Sequence, residues 1–424
     1  MSRETVEFAY DLHAGLSSVQ VPDFDQLPLI GMAATLAIHL KGLGEVPYEL
    51  LRRVSDHFMS IPSLALPPVL NLLAEVEFVR LMTRGKTILS VIPEIPIFDN
   101  VYEGISGYVE NEINLNGYEQ ATLAILQSLY TSPRNRDALF NQIGIEKKVF
   151  DRCLMVGSRS GILTEITARG KNILVSPHYF ADNLDGLADI VAAAGAPALE
   201  ATLSKLKSNQ GWPISLVAKT GEIGGTKLSL TEATLLQKLA SEGIVKPPTI
   251  KFGQTSEAFL FTPRPGSMRL NGTNREIYER SMALISAVRK GQLLPNAFSI
   301  RSPVRILETL RDVGYLKSNS EARDQYHNLV VMRVANLRQT TTNRWQLHLH
   351  RTEENEAALA LAIELLRSGN MANMEVNQDA RIALTKDEEY IQSLVASSDL
   401  RKRQSQMMDE QAIYEFEQLI LKLD

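Results

Sequence analysis

The chain moves repeatedly between two periods of hydrophobicity. In GMAATLAIHL (residues 31–40) and YEQATLAILQSL (118–129) the apolar side chains fall three to four apart, as at Leu123, Leu126 and Leu129. That spacing predicts helices with one buried stripe. GILTEITARGKNILVSP (161–177) behaves differently. Ile162 and Leu163 end a helix, Arg169 and Gly170 make a turn, and Ile173 to Val175 return as a strand, so the segment predicts a hairpin with glycine at its tip.

This succession is written twice. ATLAI occurs at 34–38 and at 121–125, and each copy leads to an RGKxIL string, at 84–89 and 169–174. Both copies predict an apolar helix, a short second helix (PYELLRRVSDHFM; NRDALFNQIGI), a third helix and a hairpin. A third copy is predicted from APALEATLSKLKS, WPISLVAKT and the hairpin IVKPPTIKFGQTSEAFLFTP, its third helix opened by Ser229 and Glu232 at capping-box spacing. A fourth runs through ERSMALISAVRKG, PVRILETLRDVGYLKS and the hairpin LVVMRVANLRQTTTNRWQLHLHR. Aligned helix exits, Ser-Gly-Ile-Leu at 160–163, Glu-Gly-Ile-Val at 242–245 and Val-Gly-Tyr-Leu at 313–316, suggest a left-handed C-cap that feeds a strand, with Val-Glu-Phe-Val at 76–79 as the divergent first.

Three helices followed by a two-stranded hairpin resembles the winged helix-turn-helix superfamily. The expected fold class is therefore mainly α with small β-hairpins: tandem winged-helix modules at 25–100, 112–180, 190–265 and 275–352, and a helical tail at 353–424. The resemblance implies that the third helix of a module enters the DNA major groove while the hairpin, the wing, touches phosphates. The same fold also serves as a protein–protein module.

Charge separates the modules. Residues 1–120 carry 7 Lys/Arg against 16 Asp/Glu, whereas residues 264–344 carry 14 against 6, within a chain of net charge -5. Double-stranded DNA, the expected partner, would select the basic piece. There, Arg301, Ser302 and Arg305 open the helix expected to read DNA, and the wing offers Arg338, Thr341, Asn343 and Arg344. A second, weaker surface in module two comprises Lys147, Lys148, Arg152 and Arg159 on or after its third helix, with Arg169 and Lys171 at the wing. The stretch 264–280, rich in Pro, Gly and Asn, reads as a linker.

In the tail, Ile413, Phe416, Ile420 and Leu423 form a heptad-like stripe that suits either packing within the chain or a dimer contact. A protein partner or a homodimer is expected through the acidic first module and this last helix. No catalytic constellation is legible: GGTK at 224–227 lacks the rest of a phosphate-binding loop, and GSRSG at 157–161 has arginine where a nucleophile elbow needs serine. His348 and His350 are expected to point to solvent, and no metal or cofactor is expected. The single cysteine, Cys153, and the absence of a long apolar run suggest a reducing, cytoplasmic setting without a membrane span. The expected role is a DNA-binding protein, as a transcription regulator or the recognition component of a mobile-element, replication or phage-defence system. A winged-helix scaffold subunit without DNA contact is the alternative.

Overall fold

A computed structural model describes residues 3–16, 21–96, 98–180, 183–245, 249–252, 255–263, 272–294, 300–369 and 378–385. The protein is mainly α-helical, with small antiparallel sheets. A leading helix α1 (Arg3–Leu16) precedes α2 (Leu27–Leu40), β1 (Val46–Pro47), α3 (Tyr48–Phe58), α4 (Leu66–Glu75), β2 (Val79–Arg84) and β3 (Thr87–Pro93). A connecting helix α5 (Phe98–Glu112) leads to α6 (Gly117–Thr131), β4 (Arg134–Asn135), α7 (Arg136–Ile143), α8 (Lys147–Arg159), β5 (Thr164–Ala168) and β6 (Lys171–Val175). After α9 (Leu184–Ala194) come α10 (Ala196–Lys207), β7 (Trp212–Pro213), α11 (Ile214–Thr220), a small hairpin of β8 (Glu222–Ile223) and β9 (Thr226–Lys227), α12 (Leu230–Ser241), β10 (Thr249–Phe252) and β11 (Thr255–Leu260).

Each of these three stretches runs helix, short strand, helix, helix, hairpin. In each, the short strand pairs with the last strand of its hairpin, giving sheet orders β1-β3-β2, β4-β6-β5 and β10-β11-β7. The connecting helices α1, α5 and α9 and the β8–β9 hairpin have no counterpart in the sequence reading.

The fourth stretch departs from expectation. It contains α13 (Gly272–Lys290), α14 (Pro303–Val313), α15 (Ala322–Val331), β12 (Ala335–Thr341) and β13 (Arg344–Leu349). PVRILETLRDVGYLKS was expected to be the helix that feeds the hairpin, but α15 intervenes. Leu329 to Val331, expected in the first hairpin strand, form the last turn of that helix. The reason lies in its own spacing: Ala322, Gln325, Tyr326 and Leu329 fall three to four apart and are all buried. Gly314, in the left-handed region, therefore closes α14 rather than the helix before the wing. Among the described residues no short strand precedes α14; Tyr315 and Asn319, which follow it, bridge to His348 and Trp345 of β13. The expected linker is helical from Gly272 onward.

One helix exit does recur four times. Phe78 N donates to Leu73 O at 2.8 Å, Ile162 N to Gly157 O at 2.9 Å, Ile244 N to Leu239 O at 3.0 Å, and Val334 N to Leu329 O at 2.9 Å. Each bond spans five residues around a residue with positive φ: Glu77 (60°), Gly161 (72°), Gly243 (72°) and Arg333 (56°). This is the Schellman geometry, which satisfies the last carbonyls of a helix and turns the chain into the next element. The exit that feeds the β12–β13 hairpin is therefore 332–335, one helix later than the aligned 313–316.

A continuous apolar core runs from α1 to β11 and includes Ala380, Ala383 and Leu384 of α17 (Gln378–Thr385). A second core joins α13, α14, α15 and the β12–β13 hairpin to α16 (Glu353–Arg367), and receives Phe259 and Phe261 from the end of the third stretch. At that join Arg289 donates to Gln210 O at 3.1 Å and lies 5.2 Å from the centre of the Trp212 ring. Burial pushes its guanidinium down to about 10. Helix α16 stands at the head of the expected helical tail. Ile413, Phe416, Ile420 and Leu423 lie outside the described residues. No single helix among the described residues is long and apolar enough to cross a membrane.

Candidate nucleic-acid interface

The basic residues of the fourth stretch lie on three segments: the start of α14, the chain into α15, and the β12–β13 hairpin. Helix α14 starts where the Ser302 hydroxyl accepts from Arg305 N at 3.5 Å, with Pro303 in the first turn, a residue that loses nothing there because its nitrogen would be unsatisfied in any case. Ser302 is thus occupied as a helix cap. Arg301 and Arg305 flank it, exposed, but on the second helix of the stretch and not on the one that feeds the wing.

Helix α15 is anchored from within. Gln325, almost fully buried, donates to Ala287 O of α13 at 2.9 Å, and Tyr326 and Leu329 enter the second core. The opposite face leaves Arg323, Asp324 and His327 exposed. Between α14 and α15 the chain crosses the β12–β13 hairpin: Asn319 and Trp345 exchange backbone bonds at 3.0 Å each, and Leu316 N donates to Leu347 O at 3.0 Å. This crossing sets Arg323 over the Trp345 ring, 5.6 Å from its centre, and lets Arg344 Nη2 donate to Ser318 O at 2.6 Å. Lys317, exposed, lies beside them in the chain.

The hairpin itself is two-faced. Leu347 is buried, whereas Arg338, opposite Gln346 in the register, is exposed. His348 is only partly exposed; it shares a hydrogen bond of 3.0 Å with Gln346 Oε1 and stacks on Tyr315 at 5.5 Å. Burial first, and Arg338 second, lower its pKa, so the neutral ring is favoured. His350 is exposed, as expected. Asn343 occupies the left-handed region at the turn, where asparagine is tolerated, and Thr341 is exposed beside it.

The expected module-two residues divide differently. Arg152 is paired with Asp23 at 2.6 Å, Arg169 reaches both oxygens of Asp189 at 2.7 and 3.0 Å, and Lys171 Nζ donates to Ala192 O at 2.9 Å. Arg134 and Arg136 of the same stretch are paired with Glu200 and Asp151, at 2.8 and 2.9 Å. Its hairpin cations are thus folded onto α9; Lys147, Lys148 and Arg159 stand exposed without an ion pair among the described residues, and Lys171, also exposed, is held by a backbone carbonyl and not by a carboxylate. In the fourth stretch Arg301, Arg305, Lys317, Arg323, Arg333 and Arg338 are all exposed and make no ion pair among the described residues. Lys317, Arg323 and Arg333 were not singled out from the sequence. The signal for Arg323 was available, since it sits beside the buried Ala322 of a helical stripe.

The described residues hold no cluster of three or more His, Cys, Asp or Glu side chains placed to bind a metal ion. The sequence matches no family model and no curated protein.

Proposed function

We propose that this chain is a DNA-binding protein whose repeated helix–helix–hairpin stretches are winged-helix units, and that the unit built from α13 to β13 holds the duplex. The supporting observation is the set of six exposed cations there that no carboxylate neutralises, against a second unit whose arginines are largely spent on internal ion pairs. In this reading α15 takes the groove-facing role that the sequence had assigned to α14, with Arg323 at its first turn. Arg338 and Arg344 of the wing, and Arg301 and Arg305 of α14, contact phosphates. The role is that of a transcription regulator or of the DNA-recognition part of a larger system.

The test is fluorescence anisotropy with a random 30-base-pair duplex over a salt series. Neutralising about six phosphates gives a log-log slope of about -5, or a loss of about three decades between 50 and 200 mM salt. The triple variant Arg305→Ala, Lys317→Ala, Arg338→Ala removes three side chains that hold nothing else in place, so the slope should fall by about half while the fold persists. Arg169→Ala should leave the slope unchanged. No binding by the unaltered protein at low salt refutes the proposal.

A protein partner at the first unit is the second reading. It is favoured by exposed apolar side chains there, Leu64 (93%), Leu89 (53%) and Met82 (46%), the latter two on the hairpin. A partner retained at high salt together with no DNA shift would favour it over the first.

A further inference from the structure

Where α6, α10, α13 and α16 approach one another, the chain leaves a cleft of about 250 Å³, with Tyr130, Tyr179, Leu203, Lys207, Tyr278 and Leu365 in its walls. The aromatic side is preset: the Tyr130 and Tyr179 rings meet edge to face at 5.1 Å, and Phe8 packs against both at 5.7 and 6.4 Å. Into this surface comes one cation. The Lys207 ammonium lies 5.4 Å from the centre of the Tyr130 ring and makes no hydrogen bond or ion pair among the described residues. Its stem is fixed from behind, because Gly369, at the end of α16, passes so close that a Cβ there would stand 2.7 Å from Lys207 Cγ.

A half-buried ammonium without an acceptor is costly, and burial does lower the pKa of Lys207, while Glu7 and then Glu4 oppose the loss of its charge. The acid in the cleft wall, Glu200, is already neutralised by Arg134 at 2.8 Å. What the site lacks is an anion. Apart from the hydroxyls of Thr131, Ser204 and Thr262, its remaining walls are apolar or aromatic, so the complement is a ring that carries a carboxylate. Size agrees, since an apolar cavity of about 150 Å³ accepts benzene and drug-sized ligands need about 300 Å³ or more.

We propose that this cleft binds a small aromatic carboxylate, with the ring among Tyr130, Tyr179 and Tyr278 and the carboxylate on Lys207. Such a ligand touches elements of the second, third and fourth stretches at once, so it fixes the basic stretch against the rest of the chain. The site does not depend on the nucleic-acid reading.

The test is titration calorimetry of the full chain, without DNA, against benzoate, 4-hydroxyphenylacetate and indole-3-acetate, with tyramine as a ring of like size and opposite charge. Saturable binding of at least one carboxylate is expected, with tyramine at least about tenfold weaker, the difference one charge-assisted contact makes. Lys207→Met should weaken binding by at least about tenfold and Lys207→Arg should largely preserve it. Thr131→Trp, which fills the mouth from an exposed position, should abolish binding without touching the charge, and covers the case in which Lys207→Met fails to fold. Absence of saturable heat with all three carboxylates, tyramine binding as tightly as they do, or undiminished binding by folded Lys207→Met would each overturn the proposal.

Discussion

Glu119 offers the sharpest test of how the first two stretches are joined. It is fully buried, and its Oε1 accepts from the backbone nitrogens of Asp25, Gln26 and Leu27 at 2.9, 2.5 and 2.8 Å, while Oε2 accepts from Asn116 N at 2.9 Å. The last bond completes a capping box with Asn116 at the start of α6. The other three serve α2, which has no side-chain cap of its own. One carboxylate therefore caps two helices that are more than ninety residues apart, and both helix dipoles favour its charge. Glu119→Ala strands four amides. The one at buried Leu27 loses about 1–3 kcal/mol, and the three at Asp25, Gln26 and Asn116 lose less each because water can return. The expected loss is about 4 kcal/mol, a large fraction of the 5–15 kcal/mol that holds a typical domain together. Glu119→Gln keeps one oxygen for α2 but turns an NH₂ toward Asn116 N, and should cost about 2 kcal/mol. Equilibrium urea unfolding gives the totals, and amide exchange at residues 25–27 and 116 gives the location. An alanine variant within about 1 kcal/mol of the parent, or a glutamine variant as costly as alanine, would show that the shared cap does not carry the join.

Three further outcomes are expected. At the recurring helix exits, Arg333→Gly should stabilise the protein by about 0.5–1 kcal/mol by relieving a left-handed non-glycine residue, and Gly161→Ala should cost about 1 kcal/mol, both read by urea midpoints; a destabilised Arg333→Gly or a stabilised Gly161→Ala would sink that account. Asp189 is held down to about 2, first by its hydrogen bonds from Arg169 and Lys238. Its pairing therefore stabilises the fold above the ordinary carboxylate range and is lost as pH falls through about 2; in Arg169→Gln, carboxyl NMR titration should show the value rising, and no movement would contradict the pairing. The Cys153 thiol is pushed up by burial, accepts from Thr122 Oγ1 at 3.4 Å, and should stay silent toward a thiol reagent at pH 8 until denaturant is added; rapid labelling of the native protein would contradict its placement.

What could be foreseen from the sequence follows period and punctuation. Long apolar stripes with a glycine or a capping box at the end, as at Ser229 and Glu232, are local signals, and both reciprocal bonds of that box form. Helix α15 was missed because its stripe alternates with charge over only ten residues and its last turn, Leu-Val-Val, looks like a strand. Arginine pairing was hidden for a different reason. Arg169 and Asp189 are twenty residues apart, and Arg152 and Asp23 are 129 apart, so only the folded chain reveals which cations are already neutralised. Of the two exits without glycine, the one at Glu77 was legible only through its alignment with the others, and the one at Arg333 gave no residue-type cue at all.

Those four exits carry a consequence for how such a chain can change over time. The turn is made by backbone atoms, and it tolerates glutamate, glycine and arginine at its central position. Whatever follows is launched in the same direction regardless of its own side chains. A hairpin can then be rewritten, from the apolar Met82 and Leu89 of the first to the cationic Arg338 and Arg344 of the last, without re-solving how it attaches. Duplication followed by separate drift of the hairpins becomes an inexpensive route to one scaffold with several different faces.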